Sequence, residues 1–258
     1  MRKKVLALVG IAAIALTAVA VAQEAPEPPH QQWSFDGPFG TFDRAAVQRG
    51  FQVYSEICSN CHSLNLLHYG DLGPNGPGGG IGYTEEEVKA IASTKQVTDG
   101  PNDQGEMFKR PGRASDKFVA PFANEQAARA ANNGALPPDL SVMAKALSGH
   151  ADEIYGILTG YKEPPPNFKM GEGMQYNEYF PGHQIAMPPP LTDNSVTYAD
   201  GTKATLAQEA HDVATFLTWA SEPTMEDRKR TGAKVIIFLL VMTGALYGAK
   251  RRIWADVH

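Results

Sequence analysis

Cys58-Ser59-Asn60-Cys61-His62 holds both cysteines of a 258-residue chain and ends in a histidine. Cys-x-x-Cys-His is the attachment signature of c-type haem. On a helix, positions three apart share a face, so Cys58 and Cys61 can form thioethers with the two vinyl groups of one porphyrin. His62 then stands beneath the ring and offers an imidazole nitrogen to the iron as proximal ligand. Two other readings compete. A zinc site needs two further ligands of the usual kind, and no third cysteine exists to supply one. A thioredoxin-like dithiol belongs in a βαβ setting, and nothing beside this motif alternates like a strand.

Processing signals flank the motif on the N-terminal side. Arg2, Lys3 and Lys4 form a basic start, Val5 to Val21 is apolar, and Ala20-Val21-Ala22 is a small-residue cleavage site. A signal peptide over residues 1–22 is expected, with the mature chain beginning at Gln23. An uncleaved anchor is the other reading, disfavoured by the polar, Pro-rich sequence that follows. Export suits the motif, because bacterial c-type haem is attached outside the cytoplasmic membrane. The Arg/Ser-rich leader of a mitochondrial import signal is missing, so a bacterial source is expected.

A second apolar run, Gly232 to Ala249, is broken only by Lys234. Its 18 residues rise through about 27 Å as a helix, enough for a thin bilayer. Lys234 can snorkel, Tyr247 and Trp254 suit the interface, and Asp227 to Arg230 and Lys250 to Arg252 bracket the run. Basic residues on both flanks orient the helix poorly, so the export signal decides. The expected order is a periplasmic haem domain over residues 23–228, then an anchor and short cytoplasmic tail over 229–258. The head carries 14 Lys+Arg against 27 Asp+Glu, a formal charge of −13, whereas the whole chain is −5. That asymmetry argues against nucleic acid and for a cationic partner; solubility of an exported protein explains it equally well.

Within the head, Asp43 to Ile57 reads as an amphipathic helix, with Val47, Phe51, Tyr54 and Cys58 on one stripe, and delivers the motif at its C-terminal end. Gly73 to Gly82 is a flexible loop without the Gly-Lys-Ser/Thr of a phosphate cradle. Thr84 with Glu87 predicts a capping box for a helix to about Ser93. Further helices are expected over Glu125 to Asn132, Asp152 to Thr159 and Ala204 to Ser221, the last stopped by Glu222-Pro223. No repeat or strand-rich region is evident. The fold expected is mainly α: short helices joined by long Pro/Gly loops around a haem, plus one C-terminal transmembrane helix.

A low-spin carrier needs a second axial ligand, and Met187 stands out in Gly182-His183-Gln184-Ile185-Ala186-Met187 because Pro188 to Pro190 stiffens the chain behind it. His183 is the rival. A vacant sixth position would instead suit peroxidase or gas-sensing chemistry.

More specific blocks run the length of the chain: Arg44 to His62, Ala128 to Ser141 (ARAANNGALPPDLS), Leu158 to Tyr161, Tyr176 to Pro190, Asp212 to Pro223 and the C-terminal anchor. Over nearly the whole mature chain they resemble cytochrome c1, the membrane-anchored haem subunit of the cytochrome bc1 (quinol–cytochrome c oxidoreductase) complex. The resemblance implies that Met187 is the sixth ligand, that Asn132 and Pro138 line the haem, and that Arg129 lies near it. Capping, loop stiffening and surface charge explain those last three residues nearly as well. Two departures stand out. Many relatives carry an arginine for a haem propionate where this chain has Leu147, leaving Lys145 as a substitute. Some bacterial relatives also brace the methionine loop with a disulfide; no cysteine is spare here, so packing and proline alone are expected to hold it.

The implied function is electron transfer through one covalent haem c, from the Rieske iron–sulfur protein to a soluble basic cytochrome c, beside cytochrome b in a dimeric complex of the bacterial cytoplasmic membrane. No acid, base or nucleophile is required, so the chain is expected to be a redox subunit of an oxidoreductase rather than an enzyme by itself. Two alternatives remain: a tethered monohaem carrier independent of bc1, and a haem enzyme or sensor with a labile sixth ligand.

Overall fold

Side-chain caps set where four of the helices begin. In a computed structural model describing residues 25–256, α1 spans Arg44–Glu56, and the Asp43 carboxylate caps it by accepting from the backbone N–H groups of Ala45 and Ala46. The expected signal peptide, residues 1–22, and the start at Gln23 lie outside the described residues. α2 (Glu85–Ser93) opens on the expected capping box, Thr84 and Glu87 satisfying each other's backbone donors. α3 (Glu125–Ala131) is capped by Asn124, and the short α4 (Met143–Ala146) leads into α5 (His150–Thr159). α6 (Leu206–Ser221) starts behind Thr205, which accepts from the Gln208 N–H, and ends at Glu222. α7 (Met225–Ile253) closes the chain.

Val47, Phe51 and Tyr54 are all buried, as their spacing requires, and α1 packs most extensively on α6. Two features bring these helices together. Gly50 has no side chain to separate them: a Cβ there would lie 1.9 Å from the Asp212 carbonyl oxygen. Beside it, Arg49 donates bidentately to the fully buried Asp212 carboxylate at 2.8 and 3.0 Å, and at 3.0 Å to Asp200. Phe51 and Tyr54 meet Phe216 at ring-centroid distances of 5.6 and 5.7 Å, and Tyr69 stacks on Phe118 at 4.5 Å. Each such aromatic pair adds about 0.5–1.5 kcal/mol beyond its buried area.

Two antiparallel ladders interrupt the helical pattern. β1 (Gln96–Asp99) pairs with β2 (Phe108–Pro111), and β3 (Gln175–Tyr176) pairs with β4 (Gln184–Ile185). They are too short to carry the alternation that marks a strand in sequence, so a mainly α reading survives them.

At the C-terminus, α7 is 29 residues long, with a mean hydropathy of 1.8 over its most apolar window and exposed side chains from Val235 to Val241. It starts earlier than the apolar run. Asp227 to Arg230 belongs to the helix, because Glu226 pairs with Arg44 at 3.0 Å and Met225 is buried in the head. The expected boundary at residue 228 thus falls inside one continuous helix. One long apolar C-terminal helix fits a single-pass membrane protein.

Candidate haem-attachment site

α1 stops just short of the motif. Ile57 caps the helix with its N–H still bonded to the Val53 carbonyl, and Cys58–Asn60 forms a 3-10 turn in which the Cys61 and His62 N–H groups both return to the Cys58 carbonyl, at 3.1 and 2.8 Å. Tighter winding suits the chemistry, since residues three apart eclipse one another in a 3-10 turn. Cys58 and Cys61 are free thiols, the first half-buried and the second exposed. Burial pushes the Cys58 thiol up to about 12, so it behaves as a neutral thiol rather than a reactive thiolate. Ser59 and Asn60 line a cleft of about 350 Å³ walled by Phe118 to Pro121.

His62 is positioned by a segment far away in sequence. Its Nδ1 donates to the Pro138 carbonyl oxygen at 2.8 Å. A carbonyl only accepts, so the proton sits on Nδ1 and the Nε2 lone pair is left for a metal. Burial lowers the pKa of His62 despite that hydrogen bond, which keeps the imidazole neutral and able to ligate. Asp139 locks the two segments together. It accepts from Ser63 Oγ and the Asn65 N–H, both at 2.7 Å, while Leu140 N–H donates to the Ser63 carbonyl at 2.9 Å. Burial pushes the Asp139 pKa up, but the bonds from Ser141, Asn65 and Ser63 outweigh it and hold the carboxyl below its ordinary value. Tyr54 secures the other side, donating to the His62 carbonyl at 3.1 Å. Two thiols three apart and an imidazole with one nitrogen fixed and one free match the donor set of covalent haem. Among the described residues no three His, Cys, Asp or Glu side chains converge.

The methionine segment is braced differently from the expectation. Met187 is half-buried, and its carbonyl accepts from the Tyr161 phenol at 3.0 Å. Asn177, fully buried, donates its amide to the Ile157 carbonyl at 2.7 Å and takes the Tyr179 N–H at 3.1 Å. Glu178 N–H bonds to the Gly160 carbonyl at 2.9 Å. The loop is therefore tied to the end of α5 by hydrogen bonds as well as by packing and proline. His183 sits inside this loop, stacked on Tyr176 at 5.6 Å with its Nδ1 donating to the Glu178 carbonyl at 3.1 Å.

The other expected residues have local employment. Arg129 donates to the Gly134 carbonyl at 3.1 Å, and Asn132 to the Ala128 carbonyl at 2.7 Å, so both close the end of α3. Lys145, the substitute for the missing arginine, lies 3.5 Å from the Glu222 carboxylate, and Leu147 packs against the core. Asp139, Tyr161 and Asn177 were not singled out from sequence. Asp139 lies inside the Leu-Pro-Pro-Asp-Leu-Ser block, which is the one signal that pointed toward it.

A model of the Cytochrome C1 family matches residues 33–257. The chain belongs to the cytochrome c1 family. It is 48% identical over 251 residues to "Cytochrome b/c1" of Bradyrhizobium diazoefficiens, covering 90% of this chain but only 36% of that longer protein. It is 47% identical over 251 residues to "Cytochrome c1 1, heme protein, mitochondrial" of Arabidopsis thaliana, covering 95% and 80% of the two chains. It is 42% identical over 261 residues to "Cytochrome c1" of Rhodospirillum rubrum, covering 95% and 94%. The earlier resemblance thus extends across bacterial and mitochondrial cytochromes c1, and with it the expectation of a haem.

Proposed function

We infer that this chain is the haem subunit of a cytochrome bc1 complex, carrying electrons from the Rieske iron–sulfur protein to a soluble basic cytochrome c. One haem c would be held by thioethers from Cys58 and Cys61, and His62 and Met187 would supply the nitrogen and sulfur that bind its iron. When bound, it supplies a one-electron couple whose potential methionine–histidine ligation raises. The observation that carries this reading is the His62–Pro138 hydrogen bond in a chain of the cytochrome c1 family. The protein's own part is positional. Pro138 and Asp139 hold the imidazole with Nε2 free, burial keeps it neutral, and Tyr161 fixes the backbone of Met187. Pro138 would line the haem beside His62, whose Nδ1 its carbonyl holds, and Asn132 and Arg129 close the end of α3 just before that segment.

Quinol oxidation falls to cytochrome b, so this chain needs no catalytic acid or base. The haem domain faces the periplasm of a bacterium, α7 crosses the cytoplasmic membrane once, the C-terminus is cytoplasmic, and the complex is dimeric. A head of formal charge −13 steers a basic partner toward it. Purification of the tagged full-length chain in mild detergent tests this. Cytochrome b and a Rieske protein are expected in stoichiometric amounts, with a low-spin reduced spectrum that carbon monoxide leaves unchanged. Recovery of the haem-bearing chain alone would mean a tethered carrier that works without a bc1 complex. A spectrum altered by carbon monoxide would mean a labile sixth ligand.

A further inference from the structure

Phe39 is 83% exposed, more than any other large hydrophobic side chain among the described residues, including those of the apolar span. Single exposed apolar residues are common and need no explanation. This one differs in being presented by a built loop. Thr41 N–H closes the loop on the Ser34 carbonyl at 3.1 Å, and Asp36 N–H bonds to the Trp33 carbonyl at 3.1 Å. Gly40 is required at the neck, because a Cβ there would fall 2.0 Å from the Asp36 carbonyl oxygen. Phe35 and Phe42 on either side are buried, while Gly37, Pro38 and Phe39 form an uncharged, exposed tip.

The loop is fastened to the start of α7. Lys229 Nζ donates to the Phe35 carbonyl at 2.5 Å and to the Gly40 carbonyl at 3.1 Å. Glu226 accepts from the Phe42 N–H at 2.8 Å and from Arg44 at 3.0 Å. Lys229 lies three residues before Gly232, where the apolar run begins, which is about 4.5 Å along a helix axis. The neck of the loop is therefore held beside Glu226 and Lys229, within about two helical turns of the point where α7 turns apolar.

We propose that Phe39 enters the headgroup–acyl boundary of the bilayer beside α7, as a second membrane contact of the head. The occupant follows from continuity with the apolar span and from the three uncharged residues of the tip; Arg228 and Arg230 at the start of α7 are paired with Glu222 and Asp227. A single helix leaves the head free to tilt about its exit point. A rigid apolar contact to one side of it limits that tilt and sets how the haem face is presented. The proposal rests on the reading of α7 as the anchor.

The test uses the full-length, haem-loaded chain in lipid vesicles and in native membranes. With Cys58 and Cys61 consumed as thioethers, Phe39→Cys provides the one reactive thiol for a nitroxide label. Leu240→Cys in the span and Asp103→Cys on the exposed head serve as lipid and water references. The label at 39 is expected to lose most of its collisions with a water-soluble nickel chelate relative to 103, while gaining collisions with oxygen. Nickel collisions equal to those at 103, with 240 in lipid, would overturn the proposal and leave the anchor intact. An immobile label shielded from both reagents would mean a protein partner covers Phe39, and would also overturn it. A label at 240 exposed to nickel would remove the anchor reading and this proposal together.

Discussion

The phenol of Tyr161 donates a 3.0 Å hydrogen bond to the backbone carbonyl of Met187, across 26 residues of chain. Burial raises the Tyr161 pKa, so the donor persists well into alkaline solution. A thioether is a weak ligand, and its hold on an iron depends on how little its backbone moves. Tyr161→Phe should leave haem covalently attached while weakening methionine ligation. Loss of about 0.5–1.5 kcal/mol, the net worth of one hydrogen bond, shifts the bound–unbound balance several-fold. The methionine–iron charge-transfer band should then disappear at lower pH and lower denaturant than in the parent. An unchanged midpoint would show that Asn177 and the prolines hold the loop without Tyr161.

Asp139 makes the clamp around His62 sensitive to acid. Its folded pKa is depressed, so its contribution is present above the unfolded value, about 3.9 for Asp, and is lost as pH falls through the folded one. Unfolding curves measured from pH 7 to pH 2 should lose stability below about pH 4. Asp139→Asn should cost about 1–3 kcal/mol at pH 7 and flatten that acid slope. The same slope in parent and variant would assign the acid sensitivity to another carboxylate.

Arg49 and Asp212 form the buried tie between α1 and α6. Arg49→Leu leaves the fully buried Asp212 carboxylate without its cation and should cost about 3–5 kcal/mol in urea unfolding of the haem-loaded chain. Joint replacement with Asp212→Asn should recover much of that loss. No recovery would mean that packing beside Gly50, rather than charge, holds the helices.

What sequence reveals here is what local chemistry decides. Asp43, Thr84 with Glu87, and Thr205 cap helices within three residues of themselves, so α1, α2 and α6 are readable in place. The Cys-x-x-Cys-His motif is visible for the same reason: its residues are contiguous. The partner that fixes the tautomer of His62 is 76 residues away, and the phenol that holds Met187 precedes it by 26. Neither leaves a periodic or local mark. Asp227 to Arg230 reads as a charged boundary, yet Glu226 and Lys229 beside and within it bond to Arg44 and to the loop at Phe35 and Gly40, so the helix continues through it.

The charge of the head gives a kinetic prediction. Reduction of a basic soluble cytochrome, followed by stopped flow, should slow steeply as salt rises, because the Debye length shrinks from about 30 Å at 0.01 M to about 8 Å at 0.15 M. A flat or rising rate would mean that the acidic surface faces away from the docking site and serves solubility.

The central claim is that His62 and Met187 hold one covalent haem iron between them, and Met187→Leu tests it most directly. The variant is compared with the parent by near-infrared spectroscopy and redox titration. Haem should remain covalently attached through Cys58 and Cys61, the methionine–iron band should vanish, and the potential should fall by a few tenths of a volt, within the roughly 0.8 V that axial ligands span. Retention of that band and potential in Met187→Leu would contradict the account and turn attention to His183.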